Sequence, residues 1–365
     1  RLRQRHRSAQ LAALEHARGD EPMATEEGAI KLTLAEVDAL ARRCLLGAGA
    51  DVANAAAVAG VITRAERDRA VSHGLFRLPG YCASLRSGKV DGAARPEVHR
   101  LAPSVVQVHG RDGFAPLALE VGREPLIERA RAQGVAALAL VRTFHFQSLW
   151  AEIEPLCEAG LVALACTAYK PVVAPAGAKA AFFGTNPLAF GWPRGDRPPM
   201  VVDMATAAMA RGEIQVAARD GHAVPEGAGL DPSGVATTDP SAILDGGVQL
   251  PFGGYKGSAI ALMVELLAAG LIGERFSVEA GAADVEDGGP ARGGEFVLAL
   301  DPAAFGDADG WLAHAEGFFA RFEALAGGPR LPASCRYAAR AGTEAHGVTV
   351  PATLHAELER LAAGA

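Results

Sequence analysis

The chain has 365 residues, of which 50% are hydrophobic and 21% are charged, a balance that can bury a large core. A formal net charge of −7 argues against nucleic acid or an anionic membrane as a partner. The longest apolar run, residues 259–272, contains Glu265 and is shorter than the roughly 20 residues of a membrane span. Five cysteines without a C-x-x-C pair argue against a disulfide framework or a zinc site. We therefore expect a soluble cytoplasmic protein without a metal.

The first 22 residues differ from the rest of the chain. Their N-terminal half is basic and their C-terminal half is acidic. Glu15, Asp20 and Glu21 argue against a transit peptide. We expect residues 1–22 to be a disordered leader and the working chain to begin near Met23. Residues 23–365 are predicted to form one unit.

The N-terminal part is predicted to be mainly helical. Apolar periodicity over residues 33–70 predicts helices, and Thr33 followed by Glu36 has the spacing of a capping box. A short strand is predicted over residues 105–108. The pattern then alternates between helix and strand, with elements expected at 117–133, 135–141, 148–159 and 161–167. This alternation predicts a mixed α/β fold.

The second half of the chain is more irregular. Proline and glycine predict loops over 171–195, 220–254 and 278–294. Strands are expected at 200–203 and 296–300, and helices at 205–219, 258–271, 311–325 and 351–362. The expected organisation has helical parts at about 23–116 and 303–365 around a central part at about 117–302.

The motifs of several enzyme classes are missing from the sequence. No G-x-G-x-x-G follows a predicted strand, and there is no Walker A, H-E-x-x-H or G-x-S-x-G motif. A dinucleotide site in this chain would therefore not be of the Rossmann type.

The first candidate site is Ser72-His73-Gly74, followed by Arg77. Histidine can exchange a proton near neutral pH, the adjacent hydroxyl can fix its tautomer, and a guanidinium can bind a carboxylate with two hydrogen bonds. The alternative is a helix start at the surface with serine as its cap.

Two further segments combine polar residues with rigid turns. Residues 142–146 (RTFHF) follow a predicted buried strand, where α/β proteins tend to bind ligands, although a packed aromatic turn is equally compatible. Residues 184–187 (GTNP) and 203–206 (DMAT) form the other candidate. For residues 184–187, a structural turn capped by Asn186 is the favoured interpretation.

Two candidates could bind phosphate. Residues 252–258 (FGGYKGS) open an apolar helix, and a lysine in the first turn of such a helix suggests a bound diphosphate. Arg330, Arg336 and Arg340 form a basic cluster that could bind a 2′-phosphate or be a solvated charged segment.

Taken in order, these segments resemble the malate/L-lactate dehydrogenase family, which binds NAD(P)H without a Rossmann fold. The resemblance covers about residues 32–361 and rests on SHGLFRLPGY, VAPAGAKAAFFGTNPLAFGWPR, VVDMATAAMARGEI, PFGGYKGSAIALMVELLAAGLIG and FVLALDPAAFG. Within the family, RTFHFQSLWAEIEPL and ARGEIQVAARDGHAVPEG are most similar to Δ1-piperideine-2-carboxylate/Δ1-pyrroline-2-carboxylate reductases. The resemblance implies an NADPH-dependent reduction of cyclic ketimines, with NADH as a possible substitute, in a homodimer.

The resemblance also implies roles for individual residues. His73 would be the proton donor, paired with Ser72 and with an acidic relay at Glu213. Substrate contacts would come from Arg77, Thr185, Arg211 and Gly212. The central part of the chain would bind the cofactor, mainly through His145, Phe146, Gln147, Ser148, Leu149, Asp203, Met204, Ala205, Tyr255 and Lys256, together with Arg330 and Arg336.

The sequence departs from the family pattern at several positions. The usual Thr-Asn-Ser/Ala run is Thr167-Ala168-Tyr169-Lys170 here, Ala178 replaces a glycine, and Tyr255 stands where many members have histidine. Two alternatives therefore stay open. One is a 2-hydroxy-acid dehydrogenase acting on malate, lactate or ureidoglycolate, and the other is a non-catalytic ligand-binding protein.

Overall fold

The computed structural model describes residues 28–145 and 148–364. The predicted leader, residues 1–22, and the predicted start at Met23 lie outside this part of the chain. Within it, no helix is both long and apolar enough to cross a membrane.

A seven-stranded sheet forms the centre of the fold. From one edge to the other, its strands are Glu97–Ala102 (β2), Val105–Phe114 (β3), Val135–Phe144 (β4), Arg292–Leu300 (β11), Val162–Thr167 (β5), Leu188–Arg194 (β6) and Arg197–Met204 (β7). Strands β3 and β4 are parallel, and the other neighbouring pairs are antiparallel. The predicted mixed α/β class is confirmed, and the strand order differs from the largely parallel Rossmann sheet.

Helices cover both faces of this sheet. Ala115–Gln133 (α4) and Trp150–Glu158 (α5) pack on one face, where Leu138, Leu140 and Ile153 belong to one buried cluster. On the other face, Tyr255–Glu265 (α8) continues as a π-helical turn over Leu266–Gly270 and packs against Cys166 and Phe296. Gly134 ends α4 in the left-handed conformation, as its position after an amphipathic run predicts.

The N-terminal and C-terminal segments form a second core together. It contains Leu34–Gly47 (α1), Val52–Arg67 (α2), Leu78–Arg86 (α3) and Ala352–Ala362 (α12). Strand Ile30–Leu32 (β1) pairs with Val348–Val350 (β12), which joins the two ends of the described chain. The predicted capping box is confirmed, because the Glu36 N–H donates to Thr33 Oγ1 and the Thr33 N–H donates to Glu36 Oε2.

The remaining elements surround the edge of the large sheet. Gly229–Leu230 (β8), Ala236–Thr237 (β9) and Val248–Gln249 (β10) form a three-stranded sheet in the order β10-β8-β9. The remaining α-helices are Arg211–Asp220 (α6), Pro240–Leu244 (α7), Ser277–Ala282 (α9), Trp311–Glu323 (α10) and Ser334–His346 (α11). Residues 220–254, predicted as irregular, therefore contain short regular elements.

The helix predicted over residues 205–219 begins only at Arg211. Residues 205–210 are instead tied to neighbouring loops, because the Thr206 N–H donates to the Thr185 carbonyl and the Ala208 N–H to the Leu250 carbonyl, both at 2.8 Å. These long-range hydrogen bonds outweigh the local helix preference.

Strand β6 lies inside a segment predicted as loop, so that prediction was wrong for residues 188–194. Gly191 allows the neighbouring helix to approach closely, and Pro193 lies at an irregularity of the β6–β7 pairing between Trp192 and Arg194. A Cβ atom on Gly191 would overlap the Ile153 and Cys157 side chains of α5. Sequence pattern also missed β2 and helix α11.

Candidate active site

A cavity of about 720 Å³ lies at the carboxyl ends of β4, β5 and β7. These three strands run in the same direction, because β4 and β5 are both antiparallel to β11, and β6 separates β5 from β7. The cavity is also lined by residues 68–73, by the first turns of α6 and by Arg336 of α11. This position is the one that the RTFHF segment predicts.

Two short 3₁₀ turns, Val71–His73 and Leu75–Arg77, present the first candidate motif to the cavity. Ser72 Oγ lies 3.0 Å from His73 Nδ1, so the hydroxyl–imidazole pair expected from the sequence is formed. Arg77 Nε donates to the Ser72 carbonyl at 2.6 Å. The motif is therefore a compact unit rather than an exposed helix start.

The imidazole of His73 is held in its neutral form. Burial is the largest cause, with additional repulsion from Arg77 and His145, and together they lower the pKa of His73 to about 3. A neutral imidazole keeps one ring N–H as a donor and offers the other ring nitrogen as an acceptor. The proton-donor role that the resemblance implies for His73 stays a prediction, and a neutral ring in the unliganded site can also accept a hydrogen bond.

Helix α6 brings the second part of the site against Arg77. Arg77 Nη1 donates to Gln215 Oε1 at 3.3 Å. A Cβ atom on Gly212 would lie 2.8 Å from Arg77 Nη2 and 2.8 Å from Ser72 Cβ, so only glycine permits this approach. Arg211 and Glu213 line the same cavity, and burial lowers the pKa of Arg211.

His145 is the buried centre of a charged cluster. Its Nε2 atom lies 2.7 Å from Glu152 Oε1 and 3.2 Å from Glu295 Oε2. Burial lowers the pKa of His145, but the two carboxylates outweigh that effect and raise it to about 10. Burial and the proximity of Glu152 raise the pKa of Glu295 well above its usual range. These three residues place ligand atoms close enough for a cation, yet a protonated imidazole already neutralises the cluster.

Arg336 projects from α11 into the cavity. Its guanidinium stacks on the Trp150 ring, with Cζ 4.7 Å from the ring centroid. Its nearest acids, Glu154 and Asp68, lie at 3.6 and 3.9 Å, and its Nε and Nη2 atoms are buried without a hydrogen-bond partner among the described residues. Buried unpaired guanidinium donors are suited to an anionic group of a ligand. Arg340, by contrast, is hydrogen-bonded to both acids.

Asp203 lies at the end of β7 and lines the cavity. Its Oδ2 atom accepts a hydrogen bond from the Trp150 N–H at 2.9 Å, which positions the start of α5. Burial raises the pKa of Asp203 to about 6. Met204 and Ala205 continue the cavity wall.

Asn186 has a structural role, as the turn interpretation predicts. It is completely buried with φ at +40°, and its side-chain amide donates to Glu265 Oε1 and to the Ala261 carbonyl. The amide therefore ties the GTNP loop to α8. Thr185, its neighbour, lines the cavity.

Most of the predicted site residues lie together. The cavity lining includes Ser72, His73, Arg77, His145, Ser148, Leu149, Thr185, Asp203, Met204, Ala205, Arg211, Gly212, Glu213 and Arg336. Tyr255, Lys256 and Arg330 are not part of it. Tyr255 is 73% exposed at the start of α8, and Lys256 and Arg330 are also exposed. Phe146 and Gln147 lie outside the described residues.

The structure adds lining residues that the motifs did not assign. Tyr169 and Lys170 stand where the sequence departs from the family pattern, and both face the cavity. Lys170 Nζ is 2.6 Å from Asp284 Oδ2. Gln215 lies four residues after Arg211 on the same helix, so helical spacing was the available signal for it.

The fold is that of a mixed α/β protein without a Rossmann unit, with a large cavity at the carboxyl ends of three strands. The sequence model for malate/L-lactate dehydrogenase matches residues 32–359. The chain therefore belongs to this family of NAD(P)H-dependent oxidoreductases, as the motifs predicted.

The relatives of the chain include named reductases. It is 48% identical to the Δ1-pyrroline-2-carboxylate reductase of Ancylobacter novellus, over 91% of this chain and 97% of that protein. It is 47% identical to the Δ1-pyrroline-2-carboxylate/Δ1-piperideine-2-carboxylate reductase of Pseudomonas aeruginosa, over 90% and 98%. The solved Δ1-piperideine-2-carboxylate reductase of Pseudomonas syringae superposes with a TM-score of 0.85 at 42% identity, covering 92% of this chain and all of that one.

Proposed function

We propose that this protein is an NADPH-dependent reductase of cyclic imines that carry a 2-carboxylate, namely Δ1-pyrroline-2-carboxylate and Δ1-piperideine-2-carboxylate. The products would be L-proline and L-pipecolate. The proposal rests above all on one cavity that combines a neutral imidazole, two partly buried guanidiniums and a stacked arginine whose Nε and Nη2 atoms make no hydrogen bond to the described residues. The names of the relatives support the same substrates.

The carboxylate of the substrate would bind to Arg77, with Arg211 adding positive charge. Arg77 is held in position by the Ser72 carbonyl and Gln215, so its guanidinium is already oriented. Burial lowers the pKa of both arginines. Partly buried cations of this kind are stabilised by a bound carboxylate.

The neutral state of His73 favours an imine over a keto acid. A protonated cyclic imine already carries the nitrogen proton, so transfer of a hydride to C2 yields a neutral amine without a proton donor. His73 can then accept a hydrogen bond from the iminium N–H through Nε2 while Nδ1 interacts with Ser72. Reduction of a keto acid would instead need a proton for the new alkoxide, and burial of His73 disfavours the imidazolium that would supply it.

The residues of the cavity fit NADPH. The cofactor supplies the hydride when it is bound. Arg336, with its buried unpaired Nε and Nη2 atoms and its stacking on Trp150, would hold the 2′-phosphate. Ser148, Leu149, Met204 and Ala205 would contribute further contacts from the ends of β4 and β7. We therefore infer a preference for NADPH over NADH.

A substrate panel tests this function. Piperideine-2-carboxylate, pyrroline-2-carboxylate, pyruvate, oxaloacetate and ureidoglycolate are each assayed with NADPH and NADH by the change in nicotinamide absorbance. We expect kcat/KM for the two imines with NADPH to exceed that for the oxo acids by at least about 100-fold. Faster turnover of an oxo or hydroxy acid would establish the 2-hydroxy-acid alternative. No oxidation of NADPH or NADH with any substrate would overturn the enzymatic assignment.

We also propose that the protein works as a homodimer in the cytoplasm. Tyr255, Leu262 and Met263 of α8 and Leu266 of the π-helical turn that continues it are 43–73% exposed, a face suited to a second copy of the same chain. The five cysteines are all unpaired, which suits a reducing compartment. Light scattering tests the dimer: Leu262→Glu should produce monomers, whereas Glu128→Gln, an exposed change on α4, should not.

A further inference from the structure

A second cavity, of about 420 Å³, lies beside the first and shares no lining residue with it. It is formed near the carboxyl ends of the parallel strands β3 and β4, by the start of β11 and by residues around α9. Its lining contains five basic side chains, from Lys89, Arg111, Arg142, Arg275 and Arg292, and three acidic ones, from Asp91, Asp112 and Asp284. The proposed reductase reaction uses none of these residues directly.

The backbone around this cavity is strained at three positions. Arg111, Asp112 and Arg142 have φ values of +55°, +59° and +55°, which side-chain-bearing residues rarely adopt. The first two lie in an irregularity of the β3–β4 pairing between His109 and Gly113. Such bulges redirect side chains, and strain of this kind concentrates at functional sites. Here all three strained residues line the same cavity.

Not every arginine donor around the cavity is bound to an acid, although Arg111 is paired with Glu97. Arg142 is paired with Asp112, and Arg292 Nη2 donates to Glu274 Oε1 at 3.0 Å. The Nε atom of Arg292 is nevertheless buried without a hydrogen-bond partner. The Arg275 side chain has no ion pair or hydrogen bond with any residue of the described ranges 28–145 and 148–364. Because guanidinium groups only donate, these donors call for an acceptor-rich anion.

The second cavity is connected to the first through Asp284. One oxygen of this buried carboxylate lies 3.2 Å from Lys89 Nζ, and the other lies 2.6 Å from Lys170 Nζ in the catalytic cavity. Lys89 is also bound to Asp287 at 2.5 Å, and Gly288 of the same loop lines the catalytic cavity. A displacement of Lys89 or Asp284 would therefore move residues that line the catalytic cavity. One connection is the Asp284–Lys170 ion pair, and the other is the loop that contains Asp287 and Gly288.

We propose that the second cavity binds a small anion with at least two negative charges, a phosphate group or a dicarboxylate, and that its occupancy alters the catalytic cavity through Asp284. The cavity volume lies within the range of small-molecule sites and exceeds the size of inorganic phosphate. Arg275 and Arg292 would bind the anion directly. The Asp91 carboxylate, whose Oδ1 accepts a hydrogen bond from the Ala93 N–H, would repel an anion. A ligand of this site would therefore place its negative charges away from Asp91.

Calorimetric titration of the full chain tests the binding. The probes are inorganic phosphate and succinate in a chloride buffer, with saturating NADP⁺ and L-proline present so that both the cofactor site and the carboxylate site of the catalytic cavity are filled. We expect saturable binding of at least one probe, weakened about tenfold or more by Arg275→Gln, because a hydrogen bond to a charged group is lost. Arg321→Gln, at an exposed position on α10, is the matched control and should leave binding unchanged.

The result also separates the possible ligands. Tighter binding of phosphate indicates a phosphorylated ligand, and tighter binding of succinate indicates a dicarboxylate. No saturable binding of either probe, or equal binding by Arg275→Gln with an unchanged melting temperature, would overturn the site. At saturating NADPH, the bound probe should change kcat/KM for the imine in the wild-type protein and not in Arg275→Gln. An equal kcat/KM with and without a probe that binds would refute the connection through Asp284.

Discussion

The Oε1 atom of Glu66 accepts a hydrogen bond at 2.7 Å from the main-chain N–H of Leu75, the first residue of the 3₁₀ turn that carries Arg77 and two residues after His73. Glu66 belongs to α2 and is 4% exposed. A Cβ atom on Gly74 would overlap its carboxyl group, so the glycine of the Ser-His-Gly motif is required by this contact. The carboxyl group thus helps to hold the segment that contains His73 and Arg77 in position.

This contact predicts a specific dependence of stability on pH. Burial raises the pKa of Glu66 to about 7 from the ordinary 4.5, so the folded chain retains a proton that the unfolded chain has released. Between about pH 4.5 and pH 7, Glu66 therefore lowers the free energy of unfolding as pH rises, by up to about 3 kcal/mol. Denaturant unfolding should show this decline in the wild type and lose it in Glu66→Gln. Glu128→Gln, an exposed control, should retain the wild-type decline, and identical curves for all three proteins would contradict the prediction.

Two histidines in the catalytic cavity should have opposite protonation states. The pKa is lowered to about 3 for His73 and raised to about 10 for His145. The ¹⁵N resonances of labelled histidine at pH 6 should therefore show one neutral ring and one protonated ring, assigned by His73→Asn and His145→Asn. His73→Ala should lower kcat for the imine by about 100-fold, because a positioned hydrogen-bonding group is lost. A His73 ring that titrates near pH 6.5 would contradict this prediction and favour the proton-donor role.

Cofactor choice should depend on Arg336 and not on Arg330. Arg336 lines the cavity with unpaired donors, whereas Arg330 is exposed outside it. Arg336→Ala should raise KM for NADPH about tenfold or more and change KM for NADH much less, because only NADPH carries the 2′-phosphate. Arg330→Ala is the matched control and should change neither value. If Arg330→Ala gives the larger NADPH effect, the 2′-phosphate has been placed at the wrong arginine.

The close approach of α6 to Arg77 predicts that Gly212 tolerates no side chain. The Cβ atom of Gly212→Ala would lie 2.8 Å from Arg77 Nη2, so the guanidinium or the helix must shift. We expect KM for the imine to rise more than kcat falls, since the carboxylate would lose its oriented partner. Gly60→Ala, on α2 where the new methyl group meets nothing within 4 Å, should leave activity unchanged. Unaltered kinetics in Gly212→Ala would show that Arg77 is free to move.

The sequence by itself determined the family, the fold class and most of the catalytic cavity. Ser72, His73, Arg77 and Arg336 could be identified because motifs and charge are local properties of the chain. The capping box at Thr33 and Glu36 and the end of α4 at Gly134 were predictable for the same reason.

Only the tertiary structure decided which of these residues meet and in what ionisation state. The opposite pKa shifts of His73 and His145 arise from burial and from Glu152 and Glu295, and Glu295 is 150 positions from His145 in the sequence. The late start of α6 and the presence of β6 likewise depend on long-range hydrogen bonds and on the contact with α5. The exposed positions of Tyr255, Lys256 and Arg330 could not be predicted either. A local sequence pattern gives the type of each residue, whereas tertiary packing decides whether that residue faces the cavity or the solvent.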